Sequence, residues 1–169
     1  MPAGASDARA KQIATLAGVI HERMTDPALG ECLHELKEKD FAALGEMERC
    51  NIREALYSYE LETKVSKRLV QELAELGSRG HGVWVAARQE NKFANFAPVL
   101  KRFLQLKTEW AQCVSPDLEP YDANIDLFER GTTMNVITPI FERLKQELIP
   151  LIAAIQSHPV QPDTSFLQG

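Results

Sequence analysis

Two short stretches combine histidine and glutamate at the spacing that zinc-dependent peptidases use. The stretch 34–38, HELKE, differs from the pattern H-E-x-x-H only at its last position. On an α-helix His34 and Glu38 would share one face and could supply two metal ligands, with Glu35 as the general base. The stretch 21–25, HERMT, is a poorer match, because threonine stands where the second ligand should be.

A charged helix surface explains both stretches without a metal. Catalytic zinc needs three protein ligands and an open position for water, and HELKE offers only two. The charges also alternate in sign along this segment, which is typical of a solvated helix face: Glu35, Lys37, Glu38, Lys39 and Asp40. The other histidines, His81 and His158, fall in a glycine-rich link and a proline-rich tail. We therefore predict no catalytic or metal-binding residue in this chain, and a self-sufficient hydrolase built on HELKE is the weakest of three hypotheses.

Polar residues elsewhere also have a structural interpretation. Asp122, Asp126 and Glu129 line one side of a short predicted helix and could touch a cation, but an exposed acidic face is favoured. Ser66 has a lysine nearby on either side, yet a serine that precedes a helix is typically a cap rather than a nucleophile. No P-loop and no G-x-S-x-G motif is present.

The aromatic and sulfur-containing residues give no catalytic pattern. We assign Trp84 and Trp110 to the core, because no arginine-rich groove accompanies them as it would in a stacking platform. Cys32, Cys50 and Cys113 are odd in number and far apart, which indicates partly buried thiols rather than disulfides. The cysteine pattern and the absence of an apolar leader predict a cytoplasmic protein.

The composition excludes two classes of partner. The 169 residues carry a formal net charge of −5, and lysine and arginine are spread along the chain. We therefore expect binding neither to nucleic acid nor to a membrane surface. The longest apolar runs are also far shorter than a membrane span requires.

Nearly the whole chain has the periodicity of α-helices. A first helix starts at Ser6, which is the expected cap, and its apolar residues form one stripe: Ile13, Leu16, Ala17, Ile20 and Met24. Asp26 and Pro27 predict the next start, and a third helix is expected over residues 41–63. No strand-like alternation occurs.

Further helices are expected after residue 65, and glycines and prolines weaken, close or interrupt several of them. Ser66 caps a helix that ends at Gly77 and Ser78, and a weaker helix follows because Gly80 and Gly82 lie at its start. A strongly amphipathic helix begins at Phe93, where Pro98 is tolerated only in the first turn. Gly131 closes a short turn, and Thr132 or Thr133 opens a last helix to about residue 156. Prolines are expected to kink or divide that helix, namely Pro139 and Pro150.

Five segments, in the same order, resemble the carboxypeptidase Taq family of zinc metallocarboxypeptidases. They are residues 1–33 with the HER and Asp-Pro elements, 51–73 (NIREALYSYELETKVSKRLVQEL), 83–102 (VWVAARQENKFANFAPVLKR), 120–133 (PYDANIDLFERGTT) and 163–169 (DTSFLQG). The resemblance implies an all-α fold, an elongated multi-helix bundle that forms part of a larger helical metallopeptidase. It also implies a deep substrate groove, one zinc ion, homodimers and the removal of C-terminal residues from peptides.

The family's H-E-x-x-H motif and its downstream glutamate ligand have no counterpart among these residues, so neither HELKE nor HERMT inherits a role. We expect residues 1–156 to be the N-terminal helical region that walls or covers the groove. Residues 157–169 are expected to be an extended tail leading to a catalytic part encoded elsewhere, so the chain is interpreted as a truncated enzyme that is inactive alone and holds no zinc. Its expected partners are another copy of itself or the remainder of the enzyme, and the alternative is a non-enzymatic helical interaction module.

Overall fold

The structure, a computed structural model, describes residues 3–167, without the side chains of residues 3, 39, 40 and 167. Within that range it contains no strand, which confirms the predicted all-α class. The α-helices are α1 (Ser6–Met24), α2 (Pro27–Glu35), α3 (Glu46–Thr63), α4 (Lys67–Gln89), α5 (Phe93–Val114), α6 (Pro120–Ile125) and α7 (Met134–Ser157). Its contacts divide the chain into two units, Met1–Asn124 and Ile125–Gly169. No helix that it describes has both the length and the hydropathy needed to cross a bilayer.

Side-chain caps fix two of the helix starts where the sequence predicts them. The Ala28 N–H donates to Asp26 Oδ1 at 3.0 Å at the start of α2, and the Leu69 N–H donates to Ser66 Oγ at 3.3 Å at the start of α4. Each bond satisfies a backbone donor that the first helical turn leaves free. The predicted cap at Ser6 is wrong, since Ser6 is already helical and Ala5 holds the cap position without a side-chain bond. The third helix begins at Glu46, five residues later than predicted.

The first unit is built around the packing of α4 between α1 and α5. Its core consists of Val65, Leu69, Leu106, Ala111, Val114 and Ala123. Leu69 and Leu106 are the largest side chains that are completely buried. Trp110 packs against this cluster, as predicted. The prediction for Trp84 is wrong, because 43% of that residue remains exposed.

The face that α1 buries is not the predicted one. Leu16 and Ile20 of the predicted stripe are 61% and 62% exposed. The buried positions are instead small residues three or four apart, with one histidine: Ala10, Ala14, Gly18 and His21. Small side chains let α1 and α4 approach closely, and a Cβ at Gly18 would lie 2.6 Å from the Gln71 amide nitrogen. The large apolar residues of α1 therefore lie on an outer face.

Helix α4 runs without a break through the point where the sequence predicts its end. Gly77, Gly80 and Gly82 are all helical, so α4 has 23 residues. It ends after Gln89 with Asn91 in the left-handed region at φ 51°. There the Asn91 N–H donates to the Arg88 carbonyl and the Lys92 N–H donates to the Ala87 carbonyl, the two bonds of a Schellman motif.

The second unit consists of a turn, the long helix α7 and a terminal segment. Pro139 and Pro150 do not divide α7, which is continuous from Met134 to Ser157. None of its residues is buried, although its mean hydropathy is the highest of the long helices. Apolar residues recur along it at steps of four and three: Ile137, Phe141, Leu144, Leu148, Leu151 and Ile155. Residues 158–164 after it lack helix.

Candidate functional site

The HELKE stretch does not lie on a regular α-helix. Helix α2 ends at Glu35, and Leu36–Asp40 form a π-helical turn. A π turn is wider than an α turn, so residues four apart no longer align on one face. His34, Glu35 and Glu38 are all exposed. Among the residues that the structure describes, no three His, Cys, Asp or Glu side chains are grouped closely enough to hold a metal ion.

The histidine of HERMT is occupied by a structural contact. His21 is buried, and its Nε2 lies 2.9 Å from the Val65 carbonyl oxygen and 3.1 Å from the Glu62 carbonyl oxygen. Because both neighbours are acceptors, Nε2 must carry the proton and donate to them. This nitrogen therefore has no lone pair for a metal, and it joins the end of α1 to the link between α3 and α4.

The three acidic residues of the predicted short helix differ in their bonding and burial. Asp126 Oδ1 accepts a hydrogen bond from the Gly131 N–H at 2.7 Å. Gly131 has a φ of +78°, in the left-handed region that favours glycine, so this bond closes a turn. Glu129 is exposed, and Asp122 is partly buried. The local geometry gives Asp126 a structural role.

The serine and lysines near residue 66 are also engaged in structural bonds. Ser66 accepts the capping bond described above, Lys64 Nζ donates to the Val114 carbonyl at 3.1 Å, and Lys67 Nζ pairs with Glu22 at 2.5 Å. The lysine holds the pKa of the Glu22 carboxyl below its ordinary value, mainly through their hydrogen bond. The nucleophile hypothesis for Ser66 therefore has no free lysine to support it.

The three cysteines are free thiols, as predicted. Cys50 and Cys113 are partly buried, as predicted, whereas Cys32 is exposed, so the predicted burial is wrong for that thiol. The Arg53 guanidinium donates to Cys50 Sγ at 2.9 Å.

One apolar hollow of the first unit lies between α4 and α5. This α4–α5 hollow has a volume of about 330 Å³ and is lined by Leu76, Gly77, Gly80, His81, Trp84, Phe96, Val99, Leu100 and Phe103. Arg88 stands at its edge, with its guanidinium carbon 5.9 Å from the centre of the Trp84 ring. The His81 ring centre is also 5.9 Å from that ring. The hollow thus combines aromatic walls with one adjacent cation.

Ion pairs hold α4 against α5 beside the hollow. Arg68 pairs with Glu72 at 2.6 Å and also with Glu109, and Arg102 pairs with Glu72 at 2.5 Å. The two arginines, Arg68 first, lower the pKa of the Glu72 carboxyl, and the two carboxylates raise the pKa of Arg68. These groups are largely solvated, so the network stabilises the helix pair only modestly.

Comparison with known proteins identifies the family. The family model for carboxypeptidase Taq (M32) metallopeptidases matches residues 1–169. The chain belongs to this family. The resemblance proposed from the five sequence segments is therefore confirmed.

Curated members of the family match over nearly the whole chain. Thermostable carboxypeptidase 1 of Thermus thermophilus is 33% identical over 177 aligned positions, covering 99% of this chain and 35% of that protein. Carboxypeptidase 1 of Bacillus subtilis is 30% identical, covering 98% of this chain and 33% of that protein. The chain thus spans about a third of the length of the curated relatives it matches.

Solved structures give the same correspondence in three dimensions. The BsuCP crystal structure matches with a TM-score of 0.91 at 30% identity, over 98% of this chain and 33% of that one. Trypanosoma cruzi metallocarboxypeptidase 1 matches with a TM-score of 0.74 at 29% identity, over 96% of this chain and 34% of that one. The chain therefore aligns with about a third of each of these longer chains.

The described residues do not fit the family's metal. A zinc site needs at least three clustered protein ligands, and the described residues provide no such cluster. The nearest sequence candidates are an exposed pair on a π turn and a histidine whose Nε2 already donates to two carbonyls.

The α4–α5 hollow was not anticipated from the sequence. Two wrong predictions are the reason. If Trp84 lies in the core and the helix ends at Gly77, no such hollow is expected between the two helices. A signal was nevertheless present, since Gly77, Gly80, Trp84 and Phe96 fall at spacings that two continuous, antiparallel helices would bring together.

Proposed function

We propose that this chain provides the N-terminal groove-wall or lid segment of a zinc metallocarboxypeptidase that releases C-terminal amino acids from peptides. Residues 1–156 form the wall, and residues 157–169 lead toward the catalytic part. The zinc ligands and the general base are supplied by sequence outside these residues, so the segment alone is inactive. The role of its helices is to shape the groove and exclude water from it.

One observation carries this proposal: the chain reproduces a third of the BsuCP crystal structure with a TM-score of 0.91. The surface of the helices supports it. Leu16 and Ile20 on α1 are exposed, and so are most of the apolar residues of α7. Burying one large apolar side chain contributes about 1.5–3 kcal/mol, so faces of this size need a covering surface.

We further propose that the covering surface is the catalytic remainder of the enzyme, that the assembled enzyme is a dimer in the cytoplasm, and that its partner molecules are peptides. At the concentrations used for purification, the same faces drive self-association of the 169-residue chain.

The test compares the chain alone with a chimaera. The 169-residue chain is purified, its zinc content is measured, and release of phenylalanine from benzyloxycarbonyl-Ala-Phe is assayed. In the chimaera the same residues replace the matched third of Bacillus subtilis carboxypeptidase 1. We expect zinc and hydrolysis in the chimaera and neither in the chain alone.

Two variants distinguish this outcome from a hydrolase built on HELKE. Stoichiometric zinc in the chain alone, lost in His34→Ala and kept in the exposed control His158→Ala, would refute the proposal. Such a result would instead show that HELKE supplies zinc ligands.

A second candidate is a non-enzymatic helical interaction module, and the apolar surface of α7, none of whose residues is buried, favours it. Capture of a defined partner by the chain, together with a chimaera that folds but does not cleave peptide, would select this alternative.

A further inference from the structure

Lys107 on α5 differs from the other lysines in its surroundings. Among the lysines whose side chains the structure describes, it is the only one that is partly buried, and the rest are exposed. Its ammonium forms neither an ion pair nor a hydrogen bond with any residue that the structure describes. Lys64 and Lys67, by contrast, each have an oxygen partner. Partial burial without a partner disfavours the charged form of a side chain.

An indole covers one side of this amine. Lys107 Nζ lies 4.8 Å from the centre of the Trp110 ring. The two residues are three positions apart on α5, so they are neighbours on one side of the helix. Trp110 is itself packed against the buried core cluster, which fixes the ring in place. On that side the amine therefore meets a ring face rather than water or a hydrogen-bond acceptor.

These surroundings favour the reactive form of the amine. Only the neutral amine has a lone pair, and desolvation in apolar surroundings is one of the ways in which proteins activate a lysine nucleophile. Burial lowers the pKa of the Lys107 ammonium below its ordinary value of 10.5. Contact with the indole face favours the charged form and offsets part of this effect. Lys107 should therefore be neutral more often than an exposed lysine at the same pH.

We propose that Lys107 is a site of N-acylation, at which its amine takes an acyl group from an activated donor, either an acyl phosphate or an acyl thioester. The lone pair of Nζ attacks the carbonyl carbon of the donor, and a C–N bond forms. The bond from that carbon to the phosphate oxygen or the thiol sulfur breaks, and the leaving group departs with the bonding electrons. The amine releases one proton to water, and the amide product carries no charge. This inference does not rest on the proposed function, because the reaction requires neither zinc nor peptide hydrolysis.

The test incubates the 169-residue chain at neutral pH with acetyl phosphate or, separately, with the S-acetyl thioester of N-acetylcysteamine. Mass spectrometry of peptides follows the acetylation rate of each lysine. The reference is Lys101, which lies on the same helix, is exposed and has no ion-pair partner in the described part of the chain. The same reaction in urea gives the ratio of the two rates in the unfolded chain. Trp110→Ala removes the cover, and Trp84→Ala is its matched control, since Trp84 lies beside Arg88 instead.

We expect Lys107 to be acetylated at least about threefold faster than Lys101 in the folded chain, because the rate follows the neutral fraction of the amine. The two rates should agree within about twofold in urea and in Trp110→Ala, whereas Trp84→Ala should keep the ratio of the parent chain.

Equal rates at Lys107 and Lys101 in the folded parent chain, with both donors, overturn the proposal. An unchanged ratio in Trp110→Ala, with helix content confirmed by circular dichroism, overturns the role of the indole cover. If Trp110→Ala loses helix content, the comparison of the folded parent chain with the chain in urea decides alone. A higher rate at Lys107 with only one of the two donors supports the proposal and identifies the class of donor.

Discussion

Replacing His21 tests whether one buried imidazole joins α1 to the α3–α4 link. Its Nε2–H is shared between the carbonyls of Val65 and Glu62, at 2.9 and 3.1 Å. Each buried hydrogen bond contributes about 0.5–1.5 kcal/mol net, and an acceptor left buried without its donor costs about 1–3 kcal/mol. The apolar surface gained by leucine offsets part of that loss. We therefore expect His21→Leu to lower the free energy of unfolding by about 2 kcal/mol.

The matched variant is His21→Gln, whose side-chain amide can place a donor close to the position of Nε2. We expect it to lie within about 1 kcal/mol of the parent chain. The assay is urea unfolding at low protein concentration, followed by tryptophan fluorescence, because Trp84 and Trp110 both belong to the first unit. In a thermal scan the leucine variant should melt about 4–8 °C lower, given about 2–4 °C per kcal/mol for a chain of this length. Equal stability of the two variants would show that the carbonyl contacts contribute nothing.

Three further predictions concern the two units. On α1, Ala14→Leu should destabilise the chain by about 1–3 kcal/mol through overpacking, whereas Leu16→Ala should change its stability by less than about 0.5 kcal/mol. Urea unfolding measures both changes, and effects of equal size would contradict the observed burial. Glu72 has a pKa below its ordinary value of 4.5, so its stabilising effect is complete above pH 4.5 and is lost as the pH falls through the lowered value. The melting temperature should therefore fall less steeply below pH 4.5 in Glu72→Gln than in the parent chain, and parallel curves would show that its ion pairs do not matter. On α7, Leu148→Asp should shift the chain toward monomer in sedimentation velocity, and an unchanged distribution would exclude this face from self-association.

Local signals in the sequence predict the helix starts well where a side chain makes the cap. Asp26 and Ser66 both accept the bonds expected of them, because capping depends on residues only two or three positions apart. The predicted cap at Ser6 is wrong, because a turn at Ala3–Ala5 already leads into the helix. The all-α class followed from periodicity over many residues.

Tertiary contacts decide the features that the sequence did not predict. Helix α1 has both a stripe of large apolar residues and a stripe of small ones, and only the presence of α4 shows that the small stripe is buried. Glycines usually weaken a helix, but the close approach of Val99 to Gly80 gives one of them a role inside α4. The α4–α5 hollow forms only because α4 continues past Gly77. A helix that ended at Gly77, as the sequence predicts, would not form it.

The two faces of α1 differ in the substitutions that they tolerate. At Ala10 and Ala14, which are buried, the limit is volume, so even a conservative enlargement crowds the packing of α1. At Gly18 a Cβ would meet only the flexible ends of Gln71 and Lys67, which can move aside. At Leu16 and Ile20 the limit is polarity alone, and apolar residues of many shapes should be interchangeable as long as a neighbouring surface covers them. Each turn of α1 should therefore contain positions that tolerate few residue types and positions that tolerate many.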